Sequence, residues 1–149
     1  MNVRPARPSD AIALAEMRHA LWPDGSVDEH RSEVAAIIAG DLSAMHPYVI
    51  LVIEEASLIG FAEVTLRSRA DGCDPPRAVG YLEGWYVAGA HRRKGCGAAL
   101  LRAAEEWARG EGCVEMASDT WIDNELSQRA HEALGFEVVG RVVNYRKRL

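Results

Sequence analysis

The run His91-Arg92-Arg93-Lys94-Gly95-Cys96-Gly97 sets three cations just ahead of two glycines and the start of a patterned helix. Glycines let a backbone approach a ligand closely and turn its N–H groups toward one point. Those groups, with the positive end of the following helix, make a site for phosphate. Arg92, Arg93 and Lys94 add charge where a pyrophosphate would lie, with Gly95, Cys96, Gly97 and Ala98 as its backbone floor. No GK[ST] follows, so this is not a Walker loop. The glycine spacing and the missing acidic partner also rule out a dinucleotide fingerprint. A glycine pair opening a helix is common punctuation in folds, and the cations within the turn are what favour a ligand here.

The elements around this loop follow from apolar periodicity and breakers. Val3 and Arg4 read as a short first strand. Ser9 and Asp10 cap a helix carrying Ile12, Leu14, Met17 and Leu21 inward and stopped at Trp22-Pro23. Asp28 opens a second helix with Val34, Ile37 and Ile38 on one side, ended by Gly40. Residues 48–54 and 58–66 form a hairpin, and residues 68–77 are loop, with Asp71-Gly72 and Pro75-Pro76 as turn signals. Residues 78–88 make the strand before the glycine loop, and 97–109 the helix after it. Residues 114–118 give a short buried strand and 123–134 a further helix. Residues 137–140 and 141–147 give two final strands, the second alternating Val143 and Tyr145 with charged neighbours. The order β-α-α-β-β-β-α-β-α-β-β predicts a single α/β domain over residues 1–149, on a mixed, mostly antiparallel central sheet with one parallel crossover.

Composition supports one globular domain: 149 residues, 48% hydrophobic and 26% charged. The net charge of −5 disfavours nucleic acid and anionic membrane and suits a cationic ligand. Cys73, Cys96 and Cys113 form no metal-ligand cluster, and no metal is expected; an odd, scattered count points to thiols in a reducing compartment. The first residues carry no apolar leader run and no stretch reaches the ~20 apolar residues of a membrane span, so the expected location is cytoplasmic.

Arg92-x-x-Gly95-x-Gly97, after a strand ending Trp85-Tyr86-Val87, resembles motif A of the GNAT acetyltransferases, their loop for the coenzyme A pyrophosphate. Asn124, opening a helix that ends Leu134-Gly135-Phe136, is similar to motif B of the same family. The resemblance implies acetyl-CoA as co-substrate, helices on both faces of the sheet, and a fourth strand splayed from the fifth. The pantetheine arm would lie along the backbone of Trp85, Tyr86 and Val87, with Asn124 on its side. An N–H near Tyr86 or Val87 would polarise the thioester carbonyl. Transfer to a neutral amine would be direct, without an acyl-enzyme; Cys96, inside the phosphate loop, is misplaced for a nucleophile. Glu83 and Asp119, at strand ends on that cleft, are expected as proton acceptors and cation ligands. Many relatives place a Tyr in motif B where this chain has His131, which is suited either to donating the thiolate's proton or to packing its helix; the preferred donor is Tyr145 on the last strand.

The detail is similar to one subfamily, the aminoglycoside 6'-N-acetyltransferases. Its matching elements are Leu21-Trp22-Pro23, Phe61-Ala62-Glu63, Tyr81-Leu82-Glu83-Gly84-Trp85-Tyr86-Val87, the run from Gly112 to Thr120, and the ending from Arg141 to Lys147. The implied substrate is a polycation, for which Glu83, Asp119 and the flat wall of Trp22 are a suitable set. Ala70 stands where relatives carry an aromatic residue, and Gly140 where they tend to carry Glu. A GNAT enzyme for another amine, or an acyl-CoA-binding module without turnover, are the rival readings. A homodimer is expected from the subfamily, whose C-terminal strands often exchange or pair between subunits; residues 137–149 are suited either to that or to closing the subunit's own sheet.

Overall fold

The computed structural model describes residues 2–41, 46–74 and 77–149; the turn signals Pro75 and Pro76 lie outside the described residues. Five strands run in the order β1 (Asn2–Pro5), β2 (Tyr48–Glu54), β3 (Leu58–Arg67), β4 (Val79–Val87) and β5 (Met116–Ser118). The first four pair antiparallel, and β5 joins β4 in parallel through the crossover helix. Helices α1 (Ala11–Leu21) and α2 (Val27–Ala39) cover one face, and α3 (Cys96–Gly110) the other; α4 is Glu125–Ala133. The mixed, mostly antiparallel sheet expected from the sequence is therefore present.

Two cores sit back to back on this sheet. On the α1–α2 side, Leu14, Val34 and Ile37 pack against Ile50, Val52 and Phe61. On the α3 side, Leu100, Leu101 and Ala104 pack against Leu51, Ile53, Ala62, Val64 and Leu82. The alternation of Leu51 and Ile53 with Ile50 and Val52 is the two-residue period of a strand buried on both faces. Leu100, Leu101, Ala104 and Ala108 recur at helical spacing and form the buried face of α3.

The helix boundaries refine the expectations. Ser26, not Asp28, caps α2: its hydroxyl accepts from the Glu29 N–H while Glu29 returns to the Ser26 N–H. Asp10 stands at the α1 N-cap but turns its carboxylate to Arg4 and to the Arg7 N–H instead of capping the helix. Ile12 is exposed rather than inward. The expected strand at 114–118 shortens to Met116–Ser118, with Val114 in solvent.

The two final strands are a correction. Residues 137–149 take no regular structure, and Val138, Val139, Val142, Val143 and Tyr145 are exposed. A strand exists only where a neighbour satisfies its backbone groups. β5 offers three residues of edge, too short to template the alternating run of 141–147 within one chain. The segment does touch the body at the β3–β4 loop, where Val139 lies against Gly72.

Candidate active site

The site begins with a defect in the sheet. Pairing of β3 with β4 shifts between Glu63 and Val64: Glu63 faces Gly84 while Val64 faces Leu82, leaving Glu83 as the extra residue of a β-bulge. Leu82 and Trp85 pack in the α3-side core. Glu83 reaches Thr65 on the opposite face, and a Cβ on Gly84 would lie 2.3 Å from the Trp22 ring. The bulge thus turns two consecutive positions to the same side. It delivers the Glu83 carboxylate beneath the α1–α2 turn and leaves room there for the indole of Trp22.

Trp22 is fixed by its surroundings. His30 Nε2–H donates to the Trp22 carbonyl at 2.9 Å, and His19 Nδ1–H to the Gly25 carbonyl at 2.8 Å. Its ring meets Phe61 edge-on, with the Arg18 guanidinium 5.2 Å from its centre. Below it Glu63 is 0% exposed. Tyr48 donates to Glu63 Oε2 at 2.5 Å, and Arg18 Nε approaches Oε1 at 2.9 Å. That approach is too oblique to be a hydrogen bond, so the two attract as charges. Burial pushes the Glu63 carboxyl up, and the Arg18 charge opposes the shift. Arg18 also reaches Glu33 on α2 at 3.0 Å, which ties both helices to the sheet under the site.

Glu83 lies at the centre of a polar cluster. Thr65 donates to Oε1 at 2.6 Å, and Arg67 grips both oxygens: Nε and Nη2 to Oε1 at 3.1 and 3.0 Å, Nη2 to Oε2 at 2.9 Å. The Arg67 guanidinium lies 3.3 Å above the centre of the Tyr81 ring. Tyr81 is pushed up to about 12, by burial first and then by the Asp119 charge, with the Arg67 charge opposing. Asp119 follows directly on the end of β5 and is exposed. Thr65, Glu83, Arg67 and Tyr81 therefore form one continuous set across β3 and β4, and the Asp119 charge acts on Tyr81 from the end of β5. Thr65 and Arg67 belong to no motif, and Tyr81 opens the matching run 81–87 with no role given to it there. Their only signal is that Thr65 and Arg67 share one face of β3 by the two-residue period, with Tyr81 opposite Thr65 in register.

Beside this cluster the sheet opens. β4 and β5 pair only from Gly80 to Leu82, and the Ser118 hydroxyl closes the last pair by donating to the Leu82 carbonyl at 3.1 Å. Among the described residues no strand pairs with the β5-side edge of β4 from Glu83 to Val87. The backbone of Trp85, Tyr86 and Val87 thus lines a gap that an extended ligand can enter as an added strand. The glycine loop stands at its end. Arg93 and Gly95 both take left-handed backbone, φ 62° and 83°, and Gly95 is the N-cap of α3. Lacking a side chain, it leaves the first-turn N–H groups of a fifteen-residue helix uncapped by its own residue. Arg93 and Lys94 are exposed there, whereas Arg92 donates to the Val87 carbonyl at 2.7 Å and braces the turn. Cys96 is buried in the α3-side core and Ala98 is half-buried.

The remaining expected residues lie farther out. Asn124 is exposed at the N-cap of α4, where its Oδ1 accepts from the Ser127 N–H at 3.1 Å. His131 Nε2 lies 2.9 Å from the Ser118 hydroxyl and Nδ1 2.7 Å from the Ser127 carbonyl, with its ring edge-on to Trp85. It joins α4 to β5. Tyr145 is 92% exposed in the tail, and no described hydrogen bond joins it to Glu83 or Asp119. Among the described residues no cluster of His, Cys, Asp and Glu could hold a metal, and no helix is long and apolar enough to cross a membrane.

Residues 14–136 match the acetyltransferase (GNAT) family. The aminoglycoside N(6')-acetyltransferase type 1 of Klebsiella aerogenes is 44% identical over 147 residues, 99% of this chain and 96% of that protein. The apo structure of aminoglycoside antibiotic 6'-N-acetyltransferase AAC(6')-IG from Acinetobacter haemolyticus is similar with a TM-score of 0.87 at 33% identity, covering 100% and 99% of the two chains. AAC(6')-Iy in complex with the bisubstrate analogue CoA-S-monomethyl-acetylneamine gives 0.86 at 34% identity, over 99% and 98%. A splayed β4–β5 pair with a glycine-capped helix at its end, together with a family match across most of the sequence, means that this chain belongs to the GNAT acetyltransferases.

Proposed function

We propose that the protein transfers an acetyl group from acetyl-CoA to the 6'-amine of aminoglycosides. The observation that carries this reading is the Glu83 carboxylate beside the open edge of β4, bridged by Arg67 to the Tyr81 ring, with the charge of Asp119 acting on the same tyrosine. The relatives' specificity, for aminoglycosides at the 6' position, agrees with it. Acetyl-CoA would supply the activated acyl group. Its phosphates would meet the N–H groups from Gly95 to Ala98 with Arg93 and Lys94, and its arm the backbone of Trp85, Tyr86 and Val87, with Asn124 alongside. Trp22 would present its indole to a sugar ring. Glu83 and Asp119 would hold the ammonium groups and take the proton released as the amine attacks. As the new C–N bond forms and the C–S bond breaks, Tyr145 would donate to the leaving thiolate once the tail is brought to the site.

We place the protein in the cytoplasm, where Cys73 and Cys113 would remain thiols. A second copy is its proposed partner. The exposed apolar residues of the tail and the 240 Å³ cavity lined by Met116, Leu134 and Phe136 beside β5 are surfaces that a homodimer would cover. The test is thiol release from acetyl-CoA with kanamycin, tobramycin and spermidine as parallel acceptors. The expected result is fast release with the two aminoglycosides and a product acetylated at the 6'-amine. Release with spermidine alone would assign another amine. Binding of acetyl-CoA without release to any acceptor would leave an acyl-CoA-binding module. Sedimentation of the full chain should show a dimer.

A further inference from the structure

Glu83, a carboxylate expected to receive a substrate cation, already holds a cation of the protein itself. Arg67 bonds both oxygens of Glu83 and stacks on the ring of Tyr81, a tyrosine on which the Asp119 charge also acts. A carboxylate, an aromatic face and a second carboxylate are what an ammonium-binding pocket consists of. Here a guanidinium fills that set.

We propose that Arg67 is a resident counter-cation that substrate must displace from Glu83, so that it makes the enzyme selective for amines carrying several clustered positive charges. The proposal rests on the reading of Glu83 as part of the substrate site. Three observations support displacement over permanent pairing. The Arg67 side chain is 45% exposed, so water and salt weaken its hold on Glu83 and leave it a path outward. Arg67 is the last residue of β3, with loop beyond it, so its side chain stands at the rim of the sheet, where Glu83 and the Tyr81 ring hold it. The Thr65 hydroxyl holds Glu83 Oε1 independently at 2.6 Å, so the carboxylate keeps its place when the guanidinium leaves. A polycation can set one ammonium on Glu83 and another on Asp119 while Arg67 swings to solvent. A monoamine must replace a forked guanidinium with a single charge and gains no second carboxylate.

The test is steady-state kinetics of the full chain with tobramycin and with a simple monoamine, comparing wild type, R67Q, E83Q and R67Q/E83Q. Removing the competing charge should lower KM for tobramycin by about threefold to fivefold, the range set by a half-exposed ion pair. The monoamine should gain more, so that discrimination narrows. R67K, which keeps the charge but loses the fork, should fall between wild type and R67Q. Adding R67Q to E83Q should change KM little, because the displaced pair is already gone. KM for acetyl-CoA should stay at the wild-type value in R67Q. If E83Q raises KM while R67Q leaves it alone or also raises it, displacement by substrate is wrong and the Glu83 site stands. If E83Q leaves KM for tobramycin unchanged, the substrate-site reading fails and the displacement proposal with it.

Discussion

The indole of Trp85 stands 2.8 Å from the position a Cβ on Gly97 would occupy. The ring cannot yield, because its other side meets His131 edge-on and its partners are the α3-side core. One strand residue therefore fixes which residue can stand in the first turn of the phosphate-facing helix. G97A should destabilise by about 1–3 kcal/mol through overpacking and raise KM for acetyl-CoA, because relief means shifting either the helix start or the β4 edge. G97A/W85F should recover both thermal stability and KM. No recovery in the double variant would show that the clash is not what excludes a side chain at 97.

Gly95 differs, although it lies two residues away. A Cβ there meets nothing within 4 Å, but the backbone φ is +83°. The penalty for a side chain is conformational, roughly 1–2 kcal/mol for an ordinary L-residue and less for Asn. G95V should therefore weaken acetyl-CoA binding, as a β-branched residue both strains the turn and projects toward the phosphates, whereas G95N should stay close to wild type. Calorimetric titration with acetyl-CoA measures both. Equal losses in G95V and G95N would point to steric exclusion by the ligand instead of backbone strain.

Glu83 and Asp119 carry the amine chemistry in this reading. E83Q and D119N should each depress kcat/KM for tobramycin by at least about tenfold, within the reach of lost proton transfer and lost charge. KM for acetyl-CoA should not move, since neither side chain contacts the glycine loop. Wild-type kinetics in both variants would remove these carboxylates from the site.

Glu83 and Asp119 could be picked out as candidates from the sequence because the runs 81–87 and 112–120 contain them, and so could the glycine loop, whose residue types dictate its backbone. The α3 face could be read from Leu100, Leu101, Ala104 and Ala108, and the α2 stop from Gly40, which takes the left-handed C-cap at φ 79°. The bulge at Glu83 could not be read. It is a property of how β4 pairs with β3, and no residue of β4 signals it alone. Arg67 and Thr65 escaped for the same reason: their role comes from register across strands. The tail's alternation of Val143 and Tyr145 is a genuine strand pattern, yet pattern supplies only half of a strand. The other half is a partner edge, and β5 is three residues long.

The Arg18–Glu63 pair makes a sharp stability prediction. Glu63 is fully buried, so truncating its counter-ion leaves an uncompensated carboxylate; R18M should cost about 3–5 kcal/mol. Neutralising the survivor in R18M/E63Q should restore much of the loss. Y48F removes one neutral donor and should cost about 1–2 kcal/mol. Urea unfolding of the three variants orders them. A double variant no more stable than R18M would mean that packing by Arg18 against Trp22, at 5.2 Å, matters more than its charge.

The other charged anchor, Asp10, should appear in the pH dependence of stability. Its carboxylate accepts from Arg4 at 2.7 and 3.2 Å and from the Arg7 N–H at 2.7 Å, and Arg4 also bonds Glu54 at 3.0 Å across β1 and β2. The Arg4 guanidinium, more than any other cause, holds the Asp10 carboxyl below its ordinary value of 3.8. Its folded pKa is therefore below its unfolded one, and folding favours the ionised form. That stabilisation is complete above the unfolded value and is lost as pH falls through the folded one. D10N should be less stable than wild type by about 1.5–3 kcal/mol at pH 7, the worth of hydrogen bonds to a charged group. Denaturant titrations at pH 7, 5 and 3 should show the gap unchanged between the first two and narrowing at the third. A gap of constant size down to pH 3 would show that Asp10 acts through shape and neutral hydrogen bonding rather than through its charge.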